Sequence, residues 1–133
     1  AVAAVVITGQ DIGGKRCIKS LAHETYLRAW GYELKVDMAG HAHRLERWMV
    51  EVDEDDKVTL KGNYGDSRIY LSADSERAVA LSKKEQKWTP FMNSDGSWSL
   101  KSVHGHWLSA NPEEEVFASD KHAAWQKFSI VEC

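Results

Sequence analysis

The 133 residues carry 17 Lys and Arg against 20 Asp and Glu, a net charge of -3, with 43% hydrophobic and 28% charged residues. A chain of this length can bury roughly two-thirds of the surface that its unfolded form exposes, so a real core is available, and the composition is that of an ordinary globular domain. The charge supplies no global attraction to nucleic acid or to an acidic membrane, and no apolar run approaches the roughly 20 residues that span a bilayer.

The first segment, Ala1 to Thr8, is apolar without a basic flank and reads as a strand of the mature fold. It runs into Gly9-Gln10-Asp11-Ile12-Gly13-Gly14-Lys15-Arg16, which nearly satisfies the phosphate-binding pattern G-x-x-x-x-G-K-[ST]. Arg16 stands where the magnesium-binding hydroxyl is needed, so a glycine-rich turn is the expectation.

From there three looser or tighter copies of one pattern follow. The first holds Cys17-Ile18-Lys19-Ser20, then Tyr26-Leu27-Arg28-Ala29, Val36 and Trp48. After the acidic run Asp53-Glu54-Asp55-Asp56, the second holds Val58-Thr59-Leu60-Lys61-Gly62, Tyr70-Leu71-Ser72-Ala73, Val79 and Trp88. The third holds Ser99-Leu100-Lys101-Ser102, Trp107-Leu108-Ser109-Ala110, Val116 and Trp125, with the acidic run Glu113-Glu114-Glu115 inside it. The leucines at 27, 71 and 108 are 44 and 37 residues apart, and the tryptophans at 48, 88 and 125 are 40 and 37 apart. Each copy contains four short segments that alternate apolar and polar residues between Gly, Asn, Asp and Ser, the signature of half-buried strands. Twelve strands in three units are too few for a propeller. The expected fold is all-β, a β-trefoil spanning 1–133 as a single domain, with repeats near 5–53, 57–95 and 96–133. Leu27, Leu71 and Leu108, the three valines, and Trp48, Trp88 and Trp125 are then core.

The string from Leu100 to Ala110, followed by Val116, resembles the repeat of the fascin and hisactophilin family of β-trefoils. Members of that family bind actin, so the resemblance implies filamentous actin as partner, contacted through basic surface residues; with only two cysteines in the chain, a reducing cytoplasm is the expected compartment. Lys19, Lys61 and Lys101 fall at equivalent places, and Lys15-Arg16 and Lys83-Lys84 with Lys87 form local clusters. These eight residues are the candidate contacts.

A second resemblance points to a carbohydrate-binding lectin: Gln86-Lys87-Trp88 is similar to the Gln-x-Trp signature of ricin-type lectins, while Trp48 follows Glu46-Arg47 and Trp125 follows Ala123-Ala124. A sugar site wants an exposed ring beside Asp or Asn. Trp30, Tyr32 and Asp37, or Asn63, Tyr64 and Asp66, supply one, because these rings fall outside the repeat.

No catalytic motif and no cofactor site is expected: there is no Gly-x-Ser-x-Gly elbow, and the acidic runs read as solvated loops. His41/His43 and His104/His106 are pairs without a third spaced ligand, so no metal is assigned. The two cysteines, Cys17 and Cys133, are expected as free thiols, with Cys17 turned outward beside the inward Ile18. A monomer or weak dimer is the expected state.

Overall fold

In the computed structural model, residues 12–63 and 68–133 are described. Twelve strands follow in order: β1 (Gly14–Ser20), β2 (Tyr26–Trp30), β3 (Lys35–Ala39), β4 (Arg47–Val52), β5 (Val58–Gly62), β6 (Tyr70–Ala73), β7 (Val79–Ser82), β8 (Thr89–Met92), β9 (Trp98–Lys101), β10 (Trp107–Ala110), β11 (Val116–Ser119) and β12 (Phe128–Glu132). Short 3-10 turns at Arg44–Glu46 and Ala124–Gln126 lead into β4 and β12. The strand β1 begins at Gly14, where a phosphate-binding loop would need a helix. The expected strand over 1–8 lies outside the described residues.

Six strands close a barrel. β1 pairs with β12 and β4, β4 with β5, and β9 with both β8 and β12, all antiparallel. The last seam, between β5 and β8, is made by reciprocal backbone bonds between Val58 and Trp88 of 2.9 and 2.7 Å. The other six strands form three hairpins, β2/β3, β6/β7 and β10/β11, over one end of the barrel.

The hairpins share one register. Leu27, Leu71 and Leu108 face Met38, Leu81 and Ala118, and Ala29, Ala73 and Ala110 face Val36, Val79 and Val116. The three leucines are fully buried, as expected, and the valines pack half-buried at the margin of the core. A ring of backbone bonds ties the hairpins together: Leu81 donates to the Leu34 carbonyl, Ala118 to Arg77, and Met38 to Glu114, each at 3.0 Å. Leu34, Arg77 and Glu114 all have positive φ, at 54°, 72° and 67°. That conformation is unfavourable for side chains with a Cβ. It is kept here because the ring requires each of those carbonyls to turn toward the next hairpin. The fold is a β-trefoil.

Two expectations need correction. Trp125 is not core: it is 41% exposed. The third member of the buried set is Phe128, fully enclosed like Trp48 and Trp88. Residues 48, 88 and 128 are then spaced by 40 and 40, and the sequence match to Trp125 was off by one turn because the indole is the more conspicuous side chain. Trp48 and Trp88 also donate their indole N–H to the carbonyls of Leu27 and Leu71, at 2.9 and 3.0 Å, which phenylalanine cannot do.

The cysteines are not free thiols. Cys17 and Cys133 form a disulfide, with Cα atoms 5.4 Å apart. Cys17 does alternate outward from Ile18, yet it is buried, because the chain end crosses β1: Cys17 faces Val131 on β12, and Cys133 follows two residues later.

Candidate functional site

The corrected alignment changes the reading of the polar residues before each buried ring. Glu46-Arg47-Trp48, Gln86-Lys87-Trp88 and Gln126-Lys127-Phe128 are equivalent, so the Gln-x-Trp pattern holds in all three copies with Glu and Phe as substitutes. Each acidic or amide side chain bonds to backbone, within its own turn for Glu46 and Gln126 and across to β6 for Gln86. Glu46 accepts from the His43 amide at 3.0 Å, and Gln126 from the Ala123 amide at 2.8 Å. Gln86 both accepts from and donates to the Ala73 backbone, at 2.7 and 3.0 Å. Glu46 and Gln126 are buried, so these bonds satisfy groups that water cannot reach.

Against this common frame, the first copy builds a distinct depression of about 240 Å³ beside its 3-10 turn. Trp30 at the end of β2, Gly31, Tyr32 and Glu33 of the hairpin turn, and Arg44 and Leu45 of the 3-10 turn line it. Trp30 is placed by its neighbours. Arg28 and Asp37 face each other across β2 and β3, and the guanidinium donates twice to the carboxylate, both at 2.8 Å. Those hydrogen bonds hold the Arg28 pKa above its usual value, against some desolvation, with the charges of Asp37, Glu46 and Glu114 adding to them. The fixed guanidinium lies 4.5 Å from the centre of the Trp30 ring, a cation–π contact that orients the indole. Tyr32 is 92% exposed above the same hollow. The equivalents of Arg28 and Asp37 are Ser72 and Ala80 in copy two and Ser109 and Phe117 in copy three, so only copy one carries the pair.

Copy three carries its rings elsewhere. Trp107 and His122 stack at 4.0 Å, Phe91 meets both edge-on, and Lys101 lies over Trp107 at 5.4 Å. The His122 Nε2 bridges Asn93 Oδ1 and Ser99 Oγ, both at 2.9 Å. Desolvation, then the charges of Lys127 and Lys101, lower the pKa of His122. Beside the 3-10 turn of copy three, a hollow is lined by Lys121, Ala123, Ala124, Trp125 and Gln126, with no residue of the β10/β11 hairpin turn in its lining.

The remaining sequence candidates fall as follows. Asp37 serves as the partner of Arg28, so it positions Trp30 rather than facing the hollow. Asn63 is exposed and donates to the Arg44 carbonyl at 3.2 Å, while Tyr64 and Asp66 lie outside the described residues. His41 and His43 have ring centres 4.3 Å apart, with His41 3.5 Å from Glu46, and His104 sits in the turn before β10. Among the described residues no three His, Cys, Asp or Glu side chains gather as metal ligands. Asp53 caps its turn by accepting from the amides of Asp55 and Lys57.

No protein-family model and no curated protein sequence matches the chain. Among solved structures, the chain is similar to one described as SeviL bound to asialo-GM1 saccharide, with a TM-score of 0.76 and 17% identity, covering 90% of this chain and 97% of that one. That likeness agrees with the trefoil architecture.

The actin-binding expectation is thereby corrected, and with it the fascin and hisactophilin resemblance as a guide to function. The similar structure is a saccharide complex. The eight basic residues also fail to form one face: Lys19, Lys61 and Lys101 are related by the pseudo-threefold axis and so point to three sides. Lys19 and Lys101 lie over the rings of Tyr26 and Trp107, and Lys87 is neutralised by Asp53 and Glu85 at 3.4 and 3.5 Å. Sequence reading missed Arg28, Glu33 and Arg44. The spacing of 40 between Glu46, Gln86 and Gln126 was the available signal for the turn that holds Arg44.

Proposed function

We propose that the chain is a non-catalytic carbohydrate-binding module of the β-trefoil lectin kind, and that the depression of copy one takes a sugar ring. One observation carries the reading: an exposed indole, held in place by the Arg28–Asp37 pair, borders a hollow that also presents Tyr32, Glu33 and Arg44. The apolar C–H face of a pyranose stacks on such a ring, and its hydroxyls pair with a carboxylate and a guanidinium at the edge. A hollow of about 240 Å³ suits one ring rather than a long chain. The saccharide carried by the similar trefoil supports the ligand class. The Cys17–Cys133 disulfide suits a compartment where thiols are oxidised.

A glycan array followed by calorimetry tests this reading. The protein should retain a defined subset of glycans, and Trp30→Ala should weaken binding by about tenfold or more, in line with the loss of a stacked ring, while leaving thermal unfolding unchanged. An array without retained glycans, or affinity indifferent to Trp30→Ala, would overturn it.

A further inference from the structure

A second depression, of about 250 Å³, lies on the outer face of the barrel and is lined by Lys15, Arg47, Trp48, Met49, Lys61, Gly62 and Asn63. Strand register assembles its cations. Lys15 on β1 faces Met49 on β4, and Met49 faces Lys61 on β5. With strands about 4.8 Å apart, the two lysine Cα atoms sit about 10 Å from each other, and Arg47, two residues along β4 from Met49, shares their face.

The pseudo-threefold copies show what is unusual here. The equivalents of Arg47 are Lys87 and Lys127, and each has a carboxylate: Lys87 lies 3.4 Å from Asp53 and 3.5 Å from Glu85, and Lys127 lies 3.4 Å from Asp95. Arg47 has no carboxylate partner among the described residues. The equivalents of Lys61 are covered too, Lys19 lying over Tyr26 and Lys101 over Trp107, whereas Lys61 lines the hollow. Three cations gathered with no ion-pair partner among the described residues repel one another, and a bound oxyanion relieves that repulsion; a guanidinium fork with flanking ammoniums matches a sulfate or carboxylate group.

The segment 44–47 joins this hollow to the one assigned to the sugar. Arg44 and Leu45 line the first, Arg47 lines the second, and Asn63 of the second donates to the Arg44 carbonyl at 3.2 Å. We propose that the cationic depression is a subsite for the anionic substituent, sulfate or carboxylate, of an acidic saccharide whose ring occupies the neighbouring hollow. This inference rests on the carbohydrate reading above.

The experiment uses glycans in matched pairs, each neutral member beside its sulfated or sialylated counterpart, with three proteins: the native chain, the double variant Arg47→Gln/Lys61→Gln, and Trp30→Ala. The native chain should hold the acidic member of a pair about tenfold more tightly at low salt, a preference that shrinks as salt screens the charges. The double variant, altered only at surface positions, should unfold as the native chain does and bind both members with the neutral affinity. Trp30→Ala should weaken both members together. Equal retention of the two members by the native chain, or a preference that survives the double substitution, overturns the anionic subsite and leaves the sugar reading standing. Failure of the native chain to retain either member of any pair overturns both. Inorganic sulfate is the remaining arm: weak competition confined to the acidic member supports the inference, and binding of free sulfate as tight as that of the sulfated glycan overturns its link to a saccharide.

Discussion

The first and third copies have the same backbone and opposite surfaces. Both place a leucine, Leu27 or Leu108, fully inside, both run through a 3-10 turn, and both follow it with a buried ring, Trp48 or Phe128. Outside that frame the third copy is packed along its seam with the second: Trp107 and His122 stack with Phe91 of β8 edge-on to both, His122 bridges Asn93 and Ser99, and Lys127 meets Asp95. The first copy leaves Trp30 and Tyr32 open and Arg47 without a carboxylate among the described residues. Where repeats share a core, the positions that depart from the repeat and stay exposed are the ones with chemistry to offer a ligand. Function is thereby separated from fold within one molecule.

The largest expected effect attacks the shared part of this comparison. Leu27→Ala and Leu108→Ala should each lower stability by about 2 to 5 kcal/mol in denaturant unfolding, because each leaves a cavity that a closed barrel relaxes poorly around. A loss under about 1 kcal/mol for one and not the other would show that the two copies are not packed alike.

Next in size is the disulfide that ties copy one to the end of copy three. Cys133→Ser frees the chain end from β1 and should lower stability by about 2 to 4 kcal/mol, the usual contribution of a disulfide closing a long loop. Titration of the unreduced, denatured chain with a thiol reagent should find no reactive group; two reactive groups would show that the bridge does not form.

The smallest effect belongs to copy three and sharpens the contrast, since the position of His122 is occupied by Ala42 in copy one. The folded state holds the pKa of His122 below 6.5. Between that lowered value and 6.5 the unfolded chain binds more protons than the folded one. Stability from this group is therefore complete above 6.5 and declines slightly as pH falls through the window, solvent at this exposed ring screening much of the effect. The native chain should lose slightly more stability between pH 7.5 and 5.5 than His122→Gln does, in paired thermal melts. Identical slopes would remove His122 from the account.

How much of this was legible beforehand follows from the range of the forces involved. The twelve strands, the three copies and the burial of Leu27, Leu71 and Leu108 could be read from the chain, because period-two alternation and recurring leucines are local signals of which face meets the core. The exposed aromatics of copy one were legible too, Trp30 and Tyr32 standing out as rings that the repeat does not account for. The tertiary structure alone decided that Phe128 and not Trp125 fills the third buried position, since that choice depends on the length of the loop before β12 and not on which ring is larger. It alone brought Cys133 to Cys17, through the β1–β12 seam between the two ends of the described chain. The same holds for Arg28 beneath Trp30 and for Lys15, Arg47 and Lys61 on one face. Each of those groupings is set by register between strands, and register is fixed by closing the barrel, a constraint that no single stretch of sequence expresses.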